Sequence, residues 1–533
     1  MKNVELVVKI FEKAGIRWVF GVPSGPVLTL IEALRASSRV DYVLTASETS
    51  AAFMAETVGR LTGIPGVCAS TVGPGATNLA TGVGGAWLDR SPVIAITCNF
   101  ATQWLHRRTQ MLIDHQALFA PLTKASWRLE RGHIAENLAR ALTLAVAEPP
   151  GPVHLDFPQD IGEGPATEDL PAFPISNTVA AQGEAIGSRV LDLLKSARRP
   201  LIVTGLTFTR SRATSSLLRF IQTQGIPFVS TLHAKGFLPE SHPAALGVMG
   251  RACSKDVQRI MTLADLYLCV GFDPVEINYE EWCGKTPVIH LSTEPADVDG
   301  RVCLALDAAG NMDAWIAELA DLPRVSNDWR AKEWSGHREK LDMALRPTSE
   351  RMAASHVLDI LKARLPEDAI LCYDVGAHTH QIATQWRTDR PHTCLATNGW
   401  SSMGYGMPSA YAAKLVYPGR TVVSVVGDGC FQMTVGELAT ARRLRLPVPV
   451  IVLNDGWLGL MKVKQERLHY NYYGSFLGEP TDSPSHYFGV PVRGVRDVRA
   501  LQEALEWALH LDGPCVIEAF IDVQPYSLTV FDK

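Results

Sequence analysis

Short apolar runs alternate with longer amphipathic stretches from the first residues onward. "WVFGVP" (Trp18 to Pro23) reads as a buried strand, and "VLTLIEAL" after it has the apolar spacing of a helix. "YVLTAS" is a strand again, followed by "TSAAFMAETVGRLTG", a helix that Gly63 should close. "GVCAST" and "PVIAIT" add two strands, and "GPVHLDFPQD" (Gly151 to Asp160) ends the unit. Alternation of this kind predicts a parallel sheet covered by helices. The pattern restarts at "RPLIVTG" (Arg199 to Gly205), with "DLYLCVGFDPVE" and "TPVIHLS", and once more near Ser355. The expected class is α/β, with three doubly wound parallel-sheet domains at 1–165, 185–325 and 350–533. "IGEGPATEDLPAFP" reads as the first linker, and "NDWRAKEWSGHREKLD" as a solvated helix and connector.

Composition narrows the function classes. At 533 residues the chain exceeds a single core, and 47% apolar with 20% charged residues is an ordinary globular balance. A formal net charge of -5 gives no basic footprint, so no nucleic-acid partner is expected. The ten cysteines, Cys253 and Cys303 among them, show no CxxC or finger spacing and read as small buried hydrophobes in a reducing compartment. The charged helical N-terminus is unlike a signal peptide, and no apolar run approaches the roughly 18 residues of a membrane span. A cytoplasmic protein without membrane contact is the expectation.

The third unit carries the chemistry. "TVVSVV" and "VPVIVL" are apolar runs that end on "GDG" (Gly427, Asp428, Gly429) and on Asn454 and Asp455. Between them "MTVGELATARRLRL" has the length and spacing of a crossover helix, which would set the two strands side by side and parallel. Ligands bind outside the carboxyl ends of such strands. Gly427 and Gly429 allow close backbone approach, and Gly429 should lead into a helix N-terminus that favours phosphate. Hard oxygen donors without His or Cys suit Mg²⁺ completed by phosphate oxygens. A metal–diphosphate site is the expectation.

This pattern, with "GVPSGPV", "TVGPGATNLATGVGGAWLDRSPVIAIT", "APLTK", "YDVGAH" and "NGWSSMGYGMPSAYAAKL" in order along the chain, resembles the thiamine-diphosphate (ThDP) enzymes of the acetolactate synthase, pyruvate oxidase and benzaldehyde lyase group. The resemblance implies pyrimidine-binding, middle and diphosphate-binding domains, with each active site shared between two subunits. A homodimer is then the minimum, and a homotetramer the common form. It assigns Glu48 to N1′ of the aminopyrimidine, where a carboxylate drives the tautomer that deprotonates C2. On spacing alone Glu48 would be a first-turn helix carboxylate. Met403 takes the position that props the cofactor in its bent form. Ser401 and Met403 should meet the pyrimidine, and Gly376, Ala377 and His378 the diphosphate, with Gly427, Gly429, Cys430 and Leu458 completing the cofactor surface. Relatives commonly have two asparagines where this chain has Asn454 and Asp455. The implied metal ligands are therefore Asp428, Asp455 and the main-chain oxygen of Trp457, which leaves Asn454 structural.

For the reaction, the resemblance implies decarboxylation or cleavage of a 2-oxo acid and addition of the resulting carbanion to a second carbonyl. Simple decarboxylases of the group carry a histidine pair; here "LHRRTQ" has one histidine, and the N-terminal loop has Pro26. Gln110 aligns with the glutamine of the lyase and synthase branches; His115, Gln116, Leu458 and Met461 are further substrate-side candidates. "ADLYLCVGFDPVEINYEEW" is similar to flavin-independent acetolactate synthases, and FAD is not expected. The Tyr-rich "RLHYNYYGSFLGEPTDSPSHYFGV" departs from the family. A benzaldehyde-lyase-like or 2-hydroxyacyl lyase, a decarboxylase, and a non-catalytic ThDP-binding subunit remain as alternatives.

Overall fold

In the computed structural model, which describes residues 1–170, 184–252 and 254–530, the apolar runs pair into three sheets. The end of the first linker and Cys253 lie outside the described residues. The first sheet contains β1 (Trp18–Gly21), β2 (Asp41–Leu44), β3 (Gly66–Ser70), β4 (Val93–Asn99), β5 (Ala125–Arg128) and β6 (Pro152–Pro158). Its order is β2-β1-β3-β4-β6-β5, parallel throughout. The second contains β7 (Pro200–Thr204), β8 (Phe228–Ser230), β9 (Ala245–Val248), β10 (Leu266–Val270), β11 (Val288–Ser292) and β12 (Leu304–Ala309), in the order β12-β11-β10-β7-β8-β9. The third contains β13 (Ile370–Tyr373), β14 (Cys394–Leu395), β15 (Val422–Gly427), β16 (Pro449–Asn454), β17 (His486–Tyr487), β18 (Val490–Val495) and β19 (Cys515–Phe520). Its order is β14-β13-β15-β16-β19-β18-β17, with only β17 antiparallel. Reversal of direction along each strand order makes all three doubly wound.

Helices cover both faces, so the central strands read as unbroken apolar runs. Val67–Ala69 and Val93–Ile96 are wholly buried, as are Val422 and Val423 with Val425 and Val426. The helix Glu48–Thr62 ends on Gly63 at φ 70, the left-handed stop that the sequence indicated. The first and third units share one core. Phe20, Met54 and Leu79 of the first lie in the same apolar cluster as Met407, Tyr411 and Val426 of the third. Tyr405 stacks edge-on against Phe53 and donates its hydroxyl to buried Glu56 at 2.9 Å.

Three local expectations are corrected. The single crossover helix is two short ones, Asp428–Thr434 and Glu437–Arg443. The break at Val435 and Gly436 turns Glu437 so that its Oε1 accepts the N–H groups of Ala46 (3.0 Å) and Ser47 (3.1 Å). The helix after "GDG" starts at Asp428 itself, one residue before Gly429. Cys303 is exposed, because it precedes edge strand β12; the other described cysteines are buried.

Candidate active site

β15 and β16 are parallel neighbours, with Gly427 opposite Leu453, so Asp428 and Asp455 leave the sheet at one edge. Asp428 Oδ1 accepts the N–H of Gly429 and Oδ2 that of Gly456, both at 2.8 Å. Asp455 Oδ1 accepts the N–H of Trp457 at 2.9 Å. Burial pushes Asp428 up to about 6, against those N–H bonds. Burial, and then the charge of Asp428, lift Asp455 well above the carboxylate range. Two carboxylates thus share a recess whose remaining wall is largely apolar, and their oxygens are donors of the kind a hard divalent cation takes. Asn454 turns away: its side-chain amide donates to Glu518 of β19 at 2.7 Å.

Asp428 and Asp455 line a cavity of about 250 Å³. Its wall brings together Gly376, Ala377, His378, Ser401, Met403, Gly427, Asp428, Gly429, Cys430, Asp455, Trp457, Leu458 and Met461, all singled out from sequence. His378 is buried, and its Nε2 has no hydrogen-bond partner. Burial lowers its ring to about 4, so at neutral pH it is an uncharged imidazole facing the recess. The backbone at Gly429 runs close to its neighbour: a β-carbon there would lie 2.7 Å from Leu458 Cδ2. Ser401 holds φ 51, a left-handed conformation uncommon outside glycine, so its surroundings must fix it.

The residues singled out in the first unit lie elsewhere; every lining residue of the cavity falls between Val375 and Tyr526. Glu48 is buried at the first turn of its helix, behind the Ser47 cap, and its Oε2 accepts from Asn78 at 3.1 Å. Gln110 is exposed on the loop before His115, and Pro26 is half-buried in a 3-10 turn. His115 is fully buried, and Gln116 half-buried. The N–H of Gly73 donates to His115 Nε2 at 3.3 Å, and Nδ1 lies 3.5 Å from Asp156, which Arg128 also pairs at 2.7 Å. Both ring nitrogens are thus engaged within the unit.

Family models for the thiamine pyrophosphate enzymes match all three units: the N-terminal TPP binding domain over 1–118, the central domain over 188–319 and the C-terminal TPP binding domain over 374–519. The chain is 30% identical to the probable acetolactate synthase large subunit of Methanocaldococcus jannaschii, over 98% of this chain and 92% of that one. The chain belongs to the thiamine pyrophosphate enzyme family. It is also 29% identical to acetolactate synthase of Bacillus subtilis (100% and 95% covered) and to the acetolactate synthase isozyme 3 large subunit of Escherichia coli (88% and 85%).

Within this thiamine pyrophosphate enzyme, sequence reasoning passed over three residues. Asp374 is buried at the end of β13, and its carboxylate accepts N–H groups of Val375 (2.8 Å), Gly404 (2.9 Å) and Gly406 (3.0 Å). It anchors the far side of the Met403 loop. The signal was available: "ILCYD" ends an apolar run on Asp as "GDG" does. Tyr526 closes the cavity from a short C-terminal helix, and Asn78 holds Glu48. Neither has a marker in one sequence. Among the described residues no helix is long and apolar enough to cross a membrane.

Proposed function

We propose that this ThDP-dependent enzyme uses Mg²⁺ and is a carboligase of the acetolactate synthase type, taking a 2-oxo acid as donor and a second 2-oxo acid or aldehyde as acceptor. The observation that carries the reading is the convergence of Asp428 and Asp455 on one cavity. The donor set suits a hard divalent cation, with the Trp457 carbonyl as third protein ligand. The unpartnered His378 Nε2 and the close-packed backbone around Gly376, Gly427 and Gly429 suit a diphosphate. Bound ThDP supplies an acidic carbon that adds to a carbonyl and allows CO₂ to leave.

The chain's own residues do the rest. Met403 and Leu458 shape the apolar wall, and Ser401 presents backbone to the pyrimidine. Glu48 holds the proton at N1′, and Gln110 with Met461 orients substrate. Glu48 and Gln110 lie outside the cavity wall of their own chain, which supports a site completed by a second copy: a homodimer at least, with a tetramer as the common form. The reading needs no flavin, and it places the enzyme in the cytoplasm.

The test is a product screen by mass spectrometry, with pyruvate, glyoxylate and aromatic 2-oxo acids, each with and without aldehydes, in ThDP and Mg²⁺. A new carbon–carbon bond with loss of CO₂ is expected. Free aldehyde alone would make it a decarboxylase, and cleavage of 2-hydroxy ketones, supplied in a parallel arm, a lyase. Inertness throughout would leave a ThDP-binding subunit.

A further inference from the structure

The loop that carries Ser401 and Met403 is held from outside its own unit. Asp89, buried beyond the helix Pro74–Leu88 of the first unit, accepts through Oδ1 the N–H of Gly399 at 2.7 Å and that of Asn398 at 3.3 Å. Glu276, buried in the loop after β10 of the second unit, accepts the side-chain amide of Asn398 at 3.3 Å and the N–H of Leu206 at 2.9 Å. The fit is tight. A β-carbon on Gly399 would lie 2.7 Å from Leu88 Cβ and 3.1 Å from Asp89 Oδ1; one on Gly84 would meet the Trp400 ring at 2.8 Å.

Two buried carboxylates from different units therefore grip one end of a partly exposed loop, and their charges repel. His233, from the connection between β8 and β9, stands between them with its side chain wholly buried. Nδ1 lies 2.9 Å from Glu276 Oε1, and Nε2 lies 3.5 Å from Asp89 Oδ1. Arg60, whose Nη1 donates to Ala396 O at 2.8 Å, and Glu56 complete the charged groups around Asp89. The other cations nearby are paired elsewhere: Lys235 to Glu240, and Arg90 to Asp273.

We infer that His233 is a positioning residue: as an imidazolium between Asp89 and Glu276, it completes a clip through which all three units fix the Asn398–Met403 loop in its cofactor-facing shape. That last phrase rests on the proposed roles of Ser401 and Met403; the clip itself does not. Burial and the Arg60 guanidinium push the imidazole down, but Asp89 and Glu276 outweigh them and lift it to about 9. The strained φ of Ser401 is where a loosened clip would first show.

Hydrogen–deuterium exchange of the full chain without ThDP tests this, on peptides covering 398–404. His233→Gln keeps hydrogen-bonding capacity but leaves two buried carboxylates short of a cation. Protection should fall by roughly tenfold or more, as expected for breaking a buried pair on one side. The double variant His233→Gln, Glu276→Gln removes one carboxylate with the imidazolium and should recover most of that protection. Wild-type protection in His233→Gln, or a double variant no better than the single, would overturn the proposal. Wild type gives a second reading that needs no variant. Protection corrected for intrinsic exchange should drop as pH rises through about 9, and a flat profile to pH 10 would refute the imidazolium. A wrong cofactor-site assignment would leave these results standing and appear instead as unchanged ThDP affinity in Asp428→Ala.

Discussion

The first and third sheets share the order second, first, third, fourth through their leading strands, yet their carboxyl edges end in different chemistry. β15 and β16 run into Asp428 and Asp455, whereas the corresponding β3 and β4 run into Thr71 and Phe100. The same winding thus gives two acidic strand ends in one unit and two neutral ones at the matching positions of the other. The first unit's carboxylate, Glu48, follows β2 instead, where Asn78 holds it. Strand order decides where a ligand edge lies, and the residues of the last turn decide what it can hold.

The comparison makes the two edges separable by mutation. The largest effect is expected at Glu48. Glu48→Gln should bind ThDP normally but slow deprotonation at its C2 by about 10²–10⁴-fold, the usual worth of a positioned acid–base group. The reading is H/D exchange at C2 of bound cofactor, followed by NMR after acid quench; equal rates would reduce Glu48 to a helix-start carboxylate. Asp428→Ala should do the converse, weakening ThDP binding at fixed Mg²⁺ by at least about 100-fold, above the range typical for disturbing a ligand's outer shell. Calorimetric titration would expose an unchanged affinity, which would remove the third edge from the metal site.

Asn78→Ala tests whether the first unit's edge matters only through Glu48. Loss of one hydrogen bond to a charged group is worth about 1.5–3 kcal/mol at most. C2 exchange should therefore slow by roughly tenfold, less than in Glu48→Gln, while ThDP affinity holds. A slower rate in Asn78→Ala than in Glu48→Gln would reverse the assignment.

The smallest effect concerns metal-free stability. Asp428 titrates at about 6 in the folded chain, against about 3.9 unfolded. Between those values the folded state binds more protons, so stability contributed by this group falls as pH rises from about 4 through 6. Asp455, lifted further by burial and by Asp428, loses stability with rising pH in the same sense, so Asp455→Asn should flatten the combined slope by on the order of 1 kcal/mol. Melting in EDTA at pH 5 and pH 7 checks it; equal pH differences in both proteins would mean that the fold does not hold Asp455 protonated.

What the sequence disclosed follows the same division. β15 and β16 were legible because burial on both faces makes strands continuous in Val, Ile and Leu, and because each run stops on an acid. Strand β5 was not, since "ASWR" is half-buried at an edge and carries no such run. The break at Gly436 was invisible for a different reason: Glu437 meets Ala46 and Ser47, which lie 391 and 390 residues away. Asp374 and His233 also act on groups far along the chain, and a single sequence does not show which N–H a carboxylate will meet.

The Tyr-rich segment after Arg467 is fastened to the cavity loop by the Trp457 ring, which packs against Tyr472 and Phe476, and by main-chain bonds. Ser475 O accepts the N–H of Leu458, and Gly456 O that of Leu477, both at 2.8 Å. Gly456 lies so close to Gly478 O that a β-carbon would approach to 2.6 Å. Tyr470 and Tyr473, which these bonds do not use, stand 65% and 90% exposed. Such a seam separates what heredity must keep from what it can vary. Drift at those two tyrosines leaves the fastening intact, while a side chain gained at Gly456 would prise the seam apart beside Asp455.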